Sequence, residues 1–461
     1  MKSIIIALTL FLVLAPSTKG QQISGRLTGM PNTSLRLKGF TNFDTYTIDS
    51  TQTDAVGNFK LNFTEQDYGI GLLSVEDIKQ QIVILTDEPV TLQLEADQLD
   101  IEWKINQGQE NIAFKSYTTE QPKREQALSA WRFLYNLYAS DTIYLEGKQS
   151  LNAITRETER VHQKEAAFFN KLPSESYLRW YIPTRKLLAS VSQVAQYRTE
   201  EIPATGEALR QLDFTDQRLY KSGLLKEAID NHIWFIENSS GSLEQVFTDL
   251  NTSIDGILEQ LKEDNEKFNL VVSRLFEVLE ERSLFTSSEY LSKKLLAGDV
   301  CGCLNPDLEK RLHKYGNMAT GQTAPDIVFT EYTYFPEGIS VKKLSELEAD
   351  HYLVVFAASW CGHCTKSIPE IAKMYPELQD KNIEVVLISL DENPKDFAQF
   401  AAPLPFISTT DYNKWGSKAA IDYQVYATPS YFMLDKDLKI VMKLKSVEHI
   451  KAWVEMNINN K

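Results

Sequence analysis

The chain has 461 residues, 43% of them hydrophobic and 24% charged, the balance of a globular, core-forming protein. That length predicts about three domains. A net charge of -15 argues against a nucleic-acid binder, which would normally show a basic face; spread over this length, it speaks for solubility rather than for a particular partner.

Lys2, the apolar run 4–15 and the polar Ser17-Thr18-Lys19-Gly20 read as a secretory signal peptide over residues 1–20, with cleavage expected after Gly20. The run is too short to span a bilayer, and no later apolar stretch is long enough. No cysteine lies near the cut, so attachment through a lipoprotein cysteine is not expected. The mature protein is therefore expected in the periplasm or cell envelope, without a membrane span.

Residues 21–108 show period-two patterning. Leu35/Leu37, Tyr46/Ile48, Phe59/Leu61/Phe63, Ile82/Ile84 and Leu92/Leu94 each mark a half-buried strand, and Asp54-Ala55-Val56-Gly57-Asn58 carries a hairpin signal. An antiparallel β domain, sandwich-like, is predicted. Over residues 109–315 the period becomes helical. Trp131/Leu134/Tyr135/Tyr138, Leu224/Ala228/Ile229/Ile233 and Leu258/Leu261/Phe268/Val271/Leu275/Val278 recur at three and four, which predicts six to nine helices punctuated by Pro173, Pro183 and Pro203. Aromatic stripes at this spacing read as core rather than as a peptide groove. His162 and His232 lack partners at metal-ligand spacing and read as surface or core histidines.

From residue 316 to 461 the pattern is α/β. A buried strand at 352–357 leads into Trp360-Cys361-Gly362-His363-Cys364, followed by a helix, a strand at 383–390, helical segments near Phe397 and Trp415, strands at 431–434 and 440–443, and a closing helix. Two thiols where a strand hands over to a helix N-terminus sit among outward-pointing N–H groups, which favour a thiolate. Cys361, at the mouth, is the expected nucleophile, and Cys364 the more buried resolving thiol. All four cysteines fall between 301 and 364 in two tight pairs, a distribution that favours redox chemistry or metal over structural stapling. A zinc site uniting Cys361 and Cys364 with Cys301 and Cys303 has the right ligand count, but its spacing is less specific than the strand–Cys-x-x-Cys–helix order, so no metal is expected. Haem attachment would need His where Thr365 stands. For Cys301-Gly302-Cys303 itself, metal binding, a strained disulfide, an electron relay and partnerless thiols all stay open.

Together with Thr428-Pro429 before the strand at 431–434 and the Gly321-Gln322-Thr323-Ala324-Pro325-Asp326 opening, these residues resemble the TlpA/ResA-type branch of the thioredoxin superfamily. The resemblance covers roughly the last 140 residues. It extends to the rest by domain order alone, since some envelope thioredoxins carry a preceding β domain. It implies a thioredoxin fold, a cis Thr428–Pro429 bond flanking the thiols, Pro369 as the helix-kinking proline, and active-site support from Trp360, Gly362, His363, Thr428 and Pro429. Gly362-His363 is similar to the pair in protein disulfide isomerases, which implies a more oxidising disulfide. Two family positions differ: a buried aspartate is replaced by Val355, and a glutamate by Ser367, so Cys364 lacks both usual proton acceptors, and water, Lys366 and His363 stay open as substitutes. The implied activity is thiol–disulfide exchange with protein substrates and a redox partner protein, with no organic cofactor. The alternative is a non-catalytic envelope protein whose β and helical domains dock a partner.

Overall fold

The computed structural model describes residues 21–458 except 77–78, 98–99, 142, 145–147, 299–303 and 337–339. The expected signal peptide and the Cys301/Cys303 pair lie outside the described residues. Among the described residues, no helix is long and apolar enough to cross a membrane. The chain forms two compact units: residues up to Ser190 with Asp216–Ala228, and Val191–Thr215 with Ile229 onward. Compactness thus groups the chain differently from periodicity, because the helical region contributes to both units.

The first unit is built on β1 (Gln21–Thr28), β2 (Ser34–Thr41), β3 (Asp44–Gln52), β4 (Asn58–Phe63), β5 (Gly69–Val75), β6 (Lys79–Leu85), β7 (Val90–Asp97) and β8 (Asp100–Gln107). They form two four-stranded sheets, ordered β4-β1-β7-β8 and β3-β2-β5-β6. Their inward residues, among them Ile23, Leu37, Leu61 and Leu73, make one core. Alternation is plain in β4, where Phe59, Leu61 and Phe63 are buried and the residues between them exposed. All pairings are antiparallel except β1 with β7, which run parallel. The expected hairpin at 54–58 is corrected. The turn exists, with Asp54 accepting from Val56 N, Asn58 N and Asn58 Nδ2, but β3 and β4 enter different sheets. Gly57 is required there: its φ is +89°, and a Cβ would meet Leu27 O at 2.1 Å.

The helices up to residue 316 are α1 (Gln109–Ser140), α2 (Lys148–Lys171), α3 (Leu178–Tyr197), α4 (Ile202–Arg210), α5 (Gln217–Tyr220), α6 (Leu225–Ser239), α7 (Leu243–Leu261), α8 (Asn265–Glu281), α9 (Phe285–Leu296) and α10 (Pro306–Gly316). Pro183 lies inside α3 rather than ending it. In the first unit, Asn111 of α1 donates to Ile84 O and accepts from Ile84 N, both at 2.8 Å, fixing α1 to the edge strand β6. His232 is a core residue, 2% exposed and bonded to Ser253 Oγ; burial holds its pKa down to about 4.

Within the second unit, the α/β part has β9 (His351–Ala357), α11 (Cys364–Asp380), β10 (Ile383–Ser389), α12 (Pro394–Ala401), β11 (Ile407–Thr410), α13 (Lys418–Asp422), β12 (Ser430–Asp435), β13 (Ile440–Leu444) and α14 (Val447–Asn457). The sheet order is β11-β10-β9-β12-β13, with β9, β10 and β11 parallel and β12 antiparallel to both neighbours. Its core runs from Met318 to Val454. The 321–326 segment follows β13: Gly321 N donates to Ile440 O and Ala324 N to Leu438 O. Strand β11 had no sequence signal, since Ile-Ser-Thr-Thr has too few apolar residues to mark one. It is buried because its hydroxyls are satisfied internally: Thr410 Oγ1 donates to Ser389 O at 3.0 Å, and Thr409 bonds Thr330 and Thr333.

Candidate active site

Strand β9 is apolar on both faces because it is the central strand, and it delivers the chain to residues 358–363 at the sheet's C-terminal edge. Asp391, 1% exposed just beyond β10, holds that loop. It accepts from Ser359 N at 3.1 Å, from Ser359 Oγ at 2.7 Å and from Ser389 Oγ at 2.7 Å. Sequence reading missed it; the available signal was an acidic residue directly after a buried strand.

Helix α11 starts at Cys364, and Thr365 N already donates to Cys361 O at 3.0 Å. Cys361 Sγ accepts from Cys364 N at 3.3 Å, and its thiol donates to Thr428 O at 3.2 Å. Both cysteines are free thiols; Cys361 is 9% exposed and Cys364 fully buried. Burial pushes the Cys361 pKa upward, but hydrogen bonds from the Cys364 thiol, the Thr428 side chain and the Cys364 and His363 N–H groups outweigh it, so its pKa lies below the ordinary thiol value. Cys364 goes the other way. Burial first, then its bond to Cys361, push it up to about 12.

The Thr428–Pro429 bond is cis, and it leads into β12, which pairs with β9 so that Ser430 faces Phe356 and Tyr431 faces Val355. The structure thus brings Thr428 to Cys361. Trp360 is half exposed and packs edge-on against Trp415, with ring centres 6.0 Å apart, beneath Lys414 Nζ. Gly362 and His363 are exposed. Pro369 lies inside α11, as does Pro376.

Where proton acceptors are missing, Val355 is buried and Ser367 is half-buried, its Oγ donating to His363 O at 3.0 Å. Tyr431, 1% exposed, was not singled out in the sequence. Burial above all pushes its pKa up, and both thiols lie within electrostatic reach of it. Among the described residues, no group of three or more His, Cys, Asp or Glu could hold a metal.

The other face of β12 carries charge. Lys443 pairs with Phe432 across β12 and β13 and is 5% exposed. Its Nζ sits 3.9 Å from Glu289 Oε1 and 3.8 Å from the centre of the Tyr315 ring. Burial lowers the Lys443 pKa, against the pull of Glu280 and Glu289. Glu280, 6% exposed, is raised by its own burial, against the pull of Lys443. Both line a cavity of about 10 Å³ with Ala427 and Ser430, room for one water-sized molecule at most.

The Redoxin family model matches residues 319–455. The thiol-disulfide oxidoreductase ResA of Bacillus cereus is 28% identical over 127 residues, 28% of this chain and 70% of ResA. Tryparedoxin of Trypanosoma brucei brucei is 31% identical over 96 residues, covering 20% of this chain and 67% of that protein. The C-terminal part of the chain belongs to the TlpA/ResA-type thioredoxin-like family. A thioredoxin-like protein from Bacteroides caccae is similar over 55% of this chain and 93% of its own, with 16% identity and a TM-score of 0.38.

Proposed function

We propose that the protein is an exported thiol-disulfide oxidoreductase that exchanges disulfides with protein substrates through Cys361 and Cys364. The observation that carries this reading is the geometry of the pair at the head of α11: Cys361 Sγ accepts from Cys364 N at 3.3 Å and its thiol reaches Thr428 O at 3.2 Å, while Cys364 is fully buried one turn in. Reduction of a substrate starts with the Cys361 thiolate attacking one substrate sulfur. A mixed disulfide forms and the other substrate sulfur leaves as thiolate. Cys364, once deprotonated, attacks Cys361 Sγ, expels the second substrate thiolate and leaves a Cys361–Cys364 disulfide. Oxidation runs the same steps in reverse, and a redox partner protein resets the site. Thr428 and Pro429 form the wall against which an extended substrate segment lies, Trp360 borders it, and Gly362 and His363 tune the potential. Export rests on the N-terminal charge and apolar pattern, which implies a periplasmic or envelope location. The β region at 21–108, the helical region at 109–315 and the α/β region at 316–461 act as three domains in this reading.

Trapping is the test. Cys364→Ser should accumulate substrate proteins disulfide-bonded to Cys361, and Cys361→Ser should reduce a model protein disulfide no faster than the thiol reductant alone. Undiminished turnover in Cys361→Ser would refute the assignment.

A further inference from the structure

Two half-exposed indoles stand beside the nucleophile, and Trp415 comes from outside the Cys-x-x-Cys loop. Trp360 precedes Cys361 in the chain and is 50% exposed; Trp415, 40% exposed, meets it edge-on with ring centres 6.0 Å apart. Large apolar surface left facing water next to a reactive group is where partners dock. Lys414 Nζ lies 5.7 Å from the centre of the Trp360 ring and donates to Glu392 Oε2 at 2.9 Å. The turn that presents Trp415 is one the backbone does not adopt freely. Tyr412 has a φ of 55° and Lys414 a φ of 49°, left-handed values uncommon outside glycine, asparagine and aspartate. Side chains of the turn hold it: Asp411 accepts from Asn413 N and from Lys418 N, both at 3.1 Å, and Asn413 Nδ2 donates to Gly416 O at 2.9 Å. Two adjacent acids tie the turn to the thiol loop, since Asp391 holds Ser359 and Glu392 takes Lys414.

We infer that the Lys414–Trp415 turn is a specificity element: it favours substrate segments with an aromatic or aliphatic side chain next to the reacting cysteine, and it disfavours a basic one there. This deepens the exchange reading and rests on it. A substrate cysteine joined to Cys361 brings its neighbouring side chain within reach of the indoles, because Trp360 is the residue before Cys361. Two ring surfaces set at 65° to one another offer an aromatic side chain one face and one edge, the arrangement aromatic groups prefer. A lysine or arginine of the substrate would ordinarily be drawn to an indole face as well. Lys414 already takes that place on Trp360, so an incoming cation meets a like charge.

The experiment uses the full reduced chain and three short peptides that differ only in the residue after their cysteine, Phe, Gly or Lys. Each cysteine is capped as a disulfide with a coloured aromatic thiol. The Cys361 thiolate attacks the peptide sulfur, the aromatic thiolate leaves with the electron pair and its colour is followed by stopped flow; Cys364 then expels the peptide as thiolate and closes the disulfide. The Phe peptide should react about tenfold faster than the Gly peptide. The Lys peptide should react about threefold more slowly than the Gly peptide, a gap that closes at high salt. In Trp415→Ala the Phe preference should collapse, with Trp415→Phe keeping most of it. Lys414→Asn, which puts a residue at ease in the left-handed region, should remove the discrimination against the Lys peptide. Rate ratios are taken within each variant, so a general loss of activity cancels. Equal rates for the three peptides with the unmodified protein, or a Phe preference that survives Trp415→Ala, overturn the specificity element alone. Absence of colour release from every peptide with the unmodified protein overturns the exchange reading beneath it.

Discussion

The two faces of β12 are a pair worth setting side by side. Tyr431 lies within electrostatic reach of the thiols, where Cys361 is held by the Thr428 carbonyl and the Cys364 N–H. Ser430 and Phe432 look toward Glu280 and Lys443, where the groups are ionic. Both environments are buried, and both displace pKa values. On the thiol face, burial raises Cys364 while hydrogen bonds hold Cys361 down, so charge is withheld from one sulfur and stabilised on the other. On the rear face, a buried amine is held between two carboxylates and serves packing. Keeping ions behind the strand leaves the thiol pair tuned by directional bonds, which salt screens far less than an exposed charge.

Breaking the ionic face should have the largest effect. Lys443→Met strands Glu280 and Glu289 in the interior, and should cost about 3 kcal/mol in denaturant unfolding, the size seen when one partner of a buried pair is removed. Glu280, already raised by burial, loses a stabilising cation and rises further. The folded state then binds its proton more tightly than the unfolded state, so the penalty should grow as pH rises above the ordinary carboxylate range and fade in acid. If alkylation of Cys361 is unchanged in this variant, the two faces are independent; a large change would join them.

The thiol face can be tested by pH. Reduced protein should be alkylated at Cys361 with a midpoint below the ordinary thiol value of about 8.5, while Cys364 stays unreactive until far higher pH. Linkage gives opposite signs for the two. Cys361 titrates lower in the folded state, so its contribution to stability is gained as pH rises through its range and lost as pH falls. Cys364 titrates higher, so the reduced protein loses stability as pH climbs from 9.0 toward about 12. Unfolding of reduced protein across that alkaline range, compared with Cys364→Ala, checks the second sign.

The smallest expected effect is at His363. Replacing it with proline should lower the reduction potential by about 30 mV, equivalent to about 1.4 kcal/mol for a two-electron couple, in a glutathione titration. No shift, or a rise, would mean that the side chain of this exposed residue leaves the thiolate untouched.

What the sequence made legible followed from strong local patterns. β9 announced itself through seven residues with hardly a polar one, and Trp-Cys-Gly-His-Cys after such a strand marked the redox corner. Strand β11 stayed hidden because its burial depends on hydroxyl partners distant in sequence, Ser389 and Thr330 among them. The 54–58 turn was read as a hairpin because local turn chemistry says nothing about which sheet the next strand joins. Asp391 and Tyr431 were missed for a related reason. A lone acid after a strand and a tyrosine within one look ordinary until the fold brings the first to Ser359 and the second opposite Val355.

Asn111 has a consequence of a different kind. β6 is an edge strand, and such an edge is a template on which another chain can assemble. The Asn111 carboxamide engages both the N–H and the C=O of Ile84, as an incoming strand residue would. A single side chain thus ends the sheet by imitating the next strand, and the molecule is guarded there against growing into an aggregate.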